Sequence, residues 1–234
     1  MNNIFIDNIK LNEEDHIYIL QDDPEFNFTS STTFLHKFFD PFDKQAVADS
    51  LLKNVPKYKN CTKEELFKEW EQSATIGTHV HLEVENYILT KKATTHPKSK
   101  AGAKWIDGVP PWLALYPEKI LYSTEIGIAG MIDLLIYDSD TDEYVIVDWK
   151  TNKKISKNSY KGKMGSKKSS KDLEDCNFIK YSLQLSLYRY ILEEYYGMKV
   201  KNSFIVHLKV GGSETIKCPY LKESIIKMLE EGHD

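Results

Sequence analysis

The sequence predicts an α/β protein, on three observations. Two apolar runs, Ala129–Tyr137 and Tyr144–Val147, are rich in β-branched and aromatic residues and read as core strands. Two stretches, Thr62–Lys91 and Leu183–Ile191, carry apolar residues at helical spacing. A further strand, Phe204-Ile205-Val206, follows the second of these, so strand and helix patterns alternate along the chain.

Composition bounds what this fold is for. The 234 residues, 41% hydrophobic, suffice for one sizeable core and show no second compositional block. A single domain over 1–234 is therefore expected, with an N-terminal elaboration over 1–60, a core over 77–210 and a Lys-rich loop over 153–171. No apolar stretch approaches 20 residues, and the amino terminus is not basic-then-apolar. Neither a membrane span nor a secretory signal is read, and a soluble, cytoplasmic protein is expected. Cys61, Cys176 and Cys218 are widely spaced and form no CxxC pair, which supports neither a disulfide framework nor a cysteine metal cluster. The net charge of −4 gives no global attraction to nucleic acid, so any such binding must come from local patches.

In chain order, residues 1–28 are acidic and irregular, with Ile4-Phe5-Ile6 and Ile17–Leu20 as short edge strands. Ser30-Ser31-Thr32-Thr33 precedes Phe34–Phe39 and reads as an N-cap with a short amphipathic helix that Pro41 stops. Hydroxyls and free N–H groups at such a start, Ser31 and Thr32 among them, can also hold a phosphate. Thr62 and Glu65 form a capping box, and Leu66, Phe67, Trp70 and Ala74 continue a helix to about Ile76. Gly77-Thr78 offers a break or a close packing point before a second helical segment, carried by Val80, Val84, Tyr87 and Ile88 to about Lys91. On that segment His81 and Glu85 stack one turn apart, and His79 and Glu83 form a second pair rotated by about 200°. One pair faces inward and the other solvent; spacing alone does not choose.

Lys92–Trp112 lacks periodicity and holds Pro97, Gly102, Gly108, Pro110 and Pro111, so it reads as a long loop. Glu118–Ser123 is a strand, turning through Glu125-Ile126-Gly127 into the run that holds Asp133. After Thr151, Lys153, Lys154, Lys157, Lys161, Lys163, Lys167, Lys168 and Lys171 occur with no acid before Asp172. This reads as a solvated, flexible loop, well placed to grip phosphates if the strand before it carries a metal site. The helix through Leu183, Leu187, Tyr190 and Ile191 sets Gln184 and Tyr188 one turn apart and is closed by Gly197, and a last helix begins near Lys222.

The chemistry is concentrated at Asp148-Trp149-Lys150. Residues i and i+2 of a strand share a face, so Asp148 and Lys150 project together and Trp149 opposes them. Asp133, embedded in an apolar run, buries badly without a positive partner. Asp133 and Asp148 on neighbouring strands would make a divalent-metal site with Lys150 beside it. The alternative is a turn aspartate in a surface ion pair worth under about 1 kcal/mol.

Four ordered motifs join these residues: Gly77-Thr78-x-x-His81-x-x-x-Glu85, Gly130-x-x-Asp133, Asp148-x-Lys150-Thr151 and Gln184-x-x-x-Tyr188. In this order they resemble the RecB-like branch of the PD-(D/E)XK nuclease superfamily. The Asp-Trp-Lys-Thr form looks like that of mitochondrial genome maintenance exonucleases. The Ser-Thr-Thr stretch and the lead-in to Gln184 look like nuclease-like proteins of phages and large DNA viruses. The resemblance selects His81 over His79. It departs from the relatives that carry an iron–sulfur cluster, which need four cysteines, so no such cluster is expected here.

The resemblance implies a restriction-endonuclease-like core: a central mixed β-sheet from strands near 118–126, 129–137, 144–150 and 203–209, flanked by helices 78–91 and 178–196. It implies a DNA nuclease, an exonuclease more than an endonuclease, acting on single-stranded or end-containing DNA in replication, repair or recombination. Asp133, Asp148 and a carbonyl near Trp149 would hold Mg²⁺ or Mn²⁺, with His81 as a nitrogen ligand that favours Mn²⁺. Glu85 would anchor a second metal or the His81 ring. Lys150 would orient the attacking water and help deprotonate it, Gln184 would position water or phosphate, and Tyr188 would pack or touch substrate. Lys153, Lys161, Lys163, Lys167 and Lys168 would bind the substrate backbone. Glu118 matches a carboxylate that sometimes joins the site from the preceding strand in that family, but as a strand residue it is read as structural. A metal-dependent RNA endonuclease and an inactive nucleic-acid-binding relative are the alternatives. The second has no reason to keep Asp133, Asp148 and Lys150 together.

Overall fold

The computed structural model describes residues 8–12, 15 and 17–232. The expected strand at Ile4-Phe5-Ile6 lies outside them. Ile9–Asn12 (β1) and Ile17–Leu20 (β2) pair as an antiparallel two-stranded sheet. Ser30 caps the short helix α1 (Ser31–His36) by accepting from the Thr33 N–H, and directly before it Thr29–Ser30 (β3) joins the main sheet. Helix α2 (Lys44–Asn54), with Asp43 as its N-cap, goes beyond the sequence reading; its apolar stripe is weak and only Ala48 is buried.

The capping box at Thr62 and Glu65 starts a single helix, α3 (Lys63–Thr90), with no interruption at Gly77. Gly77 is the close packing point: a Cβ there would sit 3.2 Å from the Thr151 Oγ1. Residues 92–112, read as a loop, contain helix α4 (Pro97–Asp107). Its own sequence is a weak helix former, and its start is built from elsewhere. The Glu83 carboxylate accepts from the Thr95 and His96 N–H groups and the Thr95 hydroxyl, while His96 caps Lys98 N. Pro97 at the first helical position is compatible with that start.

The main sheet is mixed. Strands β4 (Ala114–Ser123), β5 (Ile128–Asp138) and β6 (Glu143–Lys150) run antiparallel, β7 (Val200–Lys209) lies parallel to β6, and β8 (Gly212–Cys218) closes the edge antiparallel to β7. Helix α5 (Asn177–Tyr196), ended by Gly197 at φ 66°, makes the crossover that a parallel β6–β7 pair requires. Helix α6 (Lys222–Gly232) follows β8.

The sheet is covered on both faces. One face packs Ile132, Ile146 and Ile205 against Phe34, Phe38, Leu183, Leu187 and Met228 of the α1, α5 and α6 side. The other packs Leu134, Val147, Trp149 and Val206 against Val80, Val84 and Ile106 of α3 and α4. Ile146 and Val147 thus face opposite ways, and alternation puts Asp148 and Lys150 on the α5 side and Trp149 on the α3/α4 side. Among the described residues no helix is long and apolar enough to cross a membrane.

Candidate metal and catalytic site

The site lies where β5 and β6 part. Their ladder runs from Asp138/Glu143 to Leu134/Val147 and stops. Strand β6 continues along β7 to Lys150/His207, while beyond the fork that edge of β5 is paired only at Ile128 and Ala129, by β3. The next pair in register would have been Asp133 with Asp148. The Trp149 N–H, freed of a β5 carbonyl, donates instead to the Asp133 carboxylate at 2.7 Å.

Across β5 the other partner is distorted as well. Glu118, opposite Asp133, has φ 49°, and it is the one residue missing from an otherwise continuous β4–β5 register. A non-glycine residue in this region costs about 1 kcal/mol or more. The distortion inverts the in-and-out alternation of both strands: Ile132 packs on the α5 face and Leu134 on the α3/α4 face, although residues two apart share a face in a regular strand. The outcome is that His81, Glu118 and Asp133 each present a ligand atom within 4.8 Å of the others. Two carboxylates and an imidazole at that separation suit a hard or borderline divalent cation. They share a cleft with Gly77, Thr78, Glu85 and Met131.

His81 Nδ1 is 3.5 Å from Asp133 Oδ2, whereas His79, 52% exposed, pairs with Glu83 at 3.6 Å on the far side of the helix. That second pair does not simply face solvent, since Glu83 is turned to the start of α4. Glu118 is the residue that sequence reasoning undervalued; a carboxylate midway along an apolar strand was the available signal. Asp148 is aimed differently from the expected ligand set, its Oδ2 lying 2.6 Å from the Lys150 Nζ.

The electrostatics follow from crowding charge in a buried place. Burial, with Asp133 and Glu85 nearby, pushes the Glu118 carboxyl up to about 8. Burial alone would raise Asp133, but His81, Lys150 and the Trp149 N–H hold it below the usual carboxylate range. Burial opposes a charged His81 too, yet Asp133 and Asp148 leave its pKa above normal. Burial pushes Asp148 up to about 6, opposed by Lys150 and reinforced by Asp133. For Lys150, desolvation is outweighed by Asp148 and Asp133, so the ammonium is held charged.

Supporting groups fix these side chains. Gln184 Nε2 donates to the Tyr188 hydroxyl at 2.9 Å, and the Ser31 Oγ donates to the same oxygen at 3.1 Å. A Cβ on Gly130 would lie 2.5 Å from Tyr188 Cε1, so only glycine lets that ring cross β5. Tyr188 and Ser31 are both buried. This corrects their expected role: their polar atoms serve Gln184, and neither is presented to a substrate. Thr32 is exposed and lines a groove with Tyr181 and Gln184. The Tyr181 ring covers the Lys150 Nζ at 4.5 Å and its hydroxyl donates to Asn152 Oδ1. The end of β6 is gripped twice more, by Lys98 Nζ on the Thr151 carbonyl and by His207 Nε2 against the Asn152 carbonyl, both at 2.6 Å.

The Lys-rich segment is not the free loop expected. Ser166 N and the Ser170 Oγ bond the Phe38 carbonyl, Gly165 N bonds Leu173 O, and the Lys168 and Ser169 N–H groups bond the Glu231 carboxylate of α6. Lys153 pairs with Glu69 of α3, and Lys163 with Asp40 and Asp175. Lys161, Lys167 and Lys168 are exposed. None of these five lysines is among the residues of the metal-ligand cleft.

Two solved structures are similar at low identity. SSO0001 shares 15% identity over 89% of this chain and 76% of its own, with a TM-score of 0.42. A Eubacterium rectale protein described as a candidate exonuclease shares 16% over 87% and 77%, with a TM-score of 0.36. Among curated proteins none matches the chain. The profile of the PD-(D/E)XK nuclease superfamily matches residues 33–229, a span that holds His81, Glu118, Asp133, Asp148, Lys150 and Gln184. Nucleases of that superfamily use divalent metals, and the donor set at the fork of β5 and β6 is of the kind they need. The chain belongs to the PD-(D/E)XK nuclease superfamily.

Proposed function

We propose that this protein is a divalent-metal-dependent deoxyribonuclease, acting as an exonuclease on single-stranded or end-containing DNA. The observation that carries the reading is the convergence of His81, Glu118 and Asp133 at one point, with Asp148 and Lys150 adjoining on β6. The oxygen-rich, partly imidazole donor set fits Mg²⁺ or Mn²⁺. His81, Glu118 and Asp133 would hold the ion, with Asp148 and Glu85 at its border. When bound, the ion supplies charge to polarise the scissile phosphate and to stabilise the leaving oxygen.

The chain's own groups do the rest. Hydrolysis joins a water oxygen to phosphorus, breaks the P–O bond on the opposite side and hands a proton to the departing oxygen. Lys150, an ammonium with a carboxylate at 2.6 Å and a tyrosine ring over it, is a cation here. Its part is to donate hydrogen bonds to the phosphate and to orient the water, and not to take up the water's proton. Gln184, held by Tyr188, offers its amide to the same water or phosphate. Exposed Lys161, Lys167 and Lys168 would contact the polynucleotide backbone beyond the cleft.

Incubation with end-labelled single-stranded, double-stranded and circular DNA, and with RNA, in Mg²⁺ or Mn²⁺ tests the reading. Terminal nucleotides released from linear DNA with circles intact support it. Nicked circles make the protein an endonuclease, and cleavage of RNA alone transfers the site to the other nucleic acid. No cleavage under any metal leaves a binding protein of nuclease fold.

A further inference from the structure

We infer that a second groove, beside α2, is a stacking platform for the bases of a single-stranded polynucleotide, joined to the catalytic fork by a track along α5. This deepens the nuclease reading and rests on it. Two rings stand out of the surface at this groove, Phe42 at 69% exposure and Tyr160 at 71%. Between them lies a floor of Ala46, Val47 and Leu51, and the space measures about 560 Å³, within the range of sites that hold nucleotide-sized ligands. Phe42 is braced edge-on by Trp70 of α3, with centroids 5.9 Å apart, so the ring is held in place at its exposed position.

Two rims of this groove are cationic. Lys163 sits 3.2 Å from Asp40, and Lys180 lies 2.5 Å from Asp175. Lys163 and Asp40 are each about half exposed, and ion pairs of that kind contribute little. A phosphate can therefore replace Asp40 as the partner of Lys163 at small cost. Lys180 also lines the neighbouring groove, together with Thr32, Phe39, Tyr181 and Gln184. Lys180, Gln184 and Tyr188 are successive turns of one stripe of α5, and Tyr181 touches Lys150. One path therefore leads from the catalytic fork, past Gln184 and Lys180, to the two rings.

The chemistry selects the occupant. Aromatic faces bordering a groove with ammonium groups at its rim bind unpaired bases without regard to sequence, because every base has a π-face. Duplex DNA keeps its base faces stacked internally and has none to offer.

Fluorescence anisotropy with an end-labelled oligothymidylate, its abasic counterpart and a duplex tests this, using the full chain in chelator so that nothing is cut. Phe42→Ala/Tyr160→Ala should weaken single-strand binding roughly tenfold or more, the size expected when base–aromatic stacking is removed. Tyr160→Phe, which keeps the ring, should bind like the parent, and the abasic strand should bind parent and double variant equally. Parental affinity in the double variant, or an abasic strand bound by the parent as tightly as the intact one, overturns the platform. If the parent still degrades DNA in Mg²⁺ or Mn²⁺ in that case, the nuclease reading survives without it. Sedimentation provides the competing outcome: a parental dimer that the double variant abolishes assigns the groove to a second copy of this chain.

Discussion

Asp148 shows how much one carboxylate is asked to do. It is buried, paired to Lys150 at 2.6 Å, and one register step past the last β5–β6 pair. Asp148→Ala should lower cleavage by roughly a hundredfold or more, the size expected when a preorganised charge is removed from the reacting centre. Gel assays of end-labelled DNA check it, and a variant that digests at the parental rate would sink the site assignment. Lys150→Ala should abolish cleavage while leaving Mn²⁺ binding in place, since an ammonium is not a ligand; calorimetric titration separates the two effects. Glu118→Gln should do the reverse, weakening Mn²⁺ binding because the neutral amide no longer supplies a charged oxygen. If Glu118→Gln and the parent titrate alike, the strained backbone at Glu118 has no part in holding a cation.

At the level of elements, the clamp on α4 makes a stability prediction with a definite sign. Burial opposes ionisation of Glu83, but its hydrogen bonds to Thr95, Ser99 and the His96 N–H hold the carboxyl down to about 2, from a usual 4.5. A depressed folded pKa means that the stabilisation is fully present above pH 4.5 and is lost as pH falls toward 2. Glu83→Gln should cost about 1–3 kcal/mol at pH 7, the worth of hydrogen bonds to a charged group. Denaturant midpoints of the two proteins should converge through that acid window. The Lys-rich segment makes a second prediction at this scale. Replacing Lys161, Lys167 and Lys168 by Ser should flatten the dependence of single-strand binding on log salt by roughly 0.7 for each phosphate that is no longer neutralised. An unchanged slope returns these lysines to solvent.

Over the whole molecule, the sheet holds its charged fork between two apolar faces, so cation binding and folding are linked. Mn²⁺ at about a hundredfold over its dissociation constant should stabilise the protein by about 2.7 kcal/mol. For a chain of this size that raises Tm by roughly 5–11 °C, and EDTA should remove the gain. His81→Ala should show a smaller rise, and equal rises in the parent and in this variant would place the cation elsewhere.

Short-range periodicity is legible in the order of amino acids alone. A period of two puts Asp148 and Lys150 on one side and Trp149 on the other, and a helical period stacks His81 over Glu85. Ser30, Thr62 with Glu65, and Gly197 mark element ends because caps are local chemistry. The four motifs in order suffice to name the family. Everything else depends on partners distant in the chain, which meet only once it is folded. Helix α4 escapes sequence reading because its start is held by Glu83, on another helix. The Lys-rich segment reads as free because its anchors, Phe38 and Glu231, lie far from it in sequence. Glu118 reads as an ordinary strand residue because its turned backbone exists only opposite Asp133, where two strands lose their alternation and a third leaves the ladder. A site at a fork belongs to all three strands, and no window along one of them contains it.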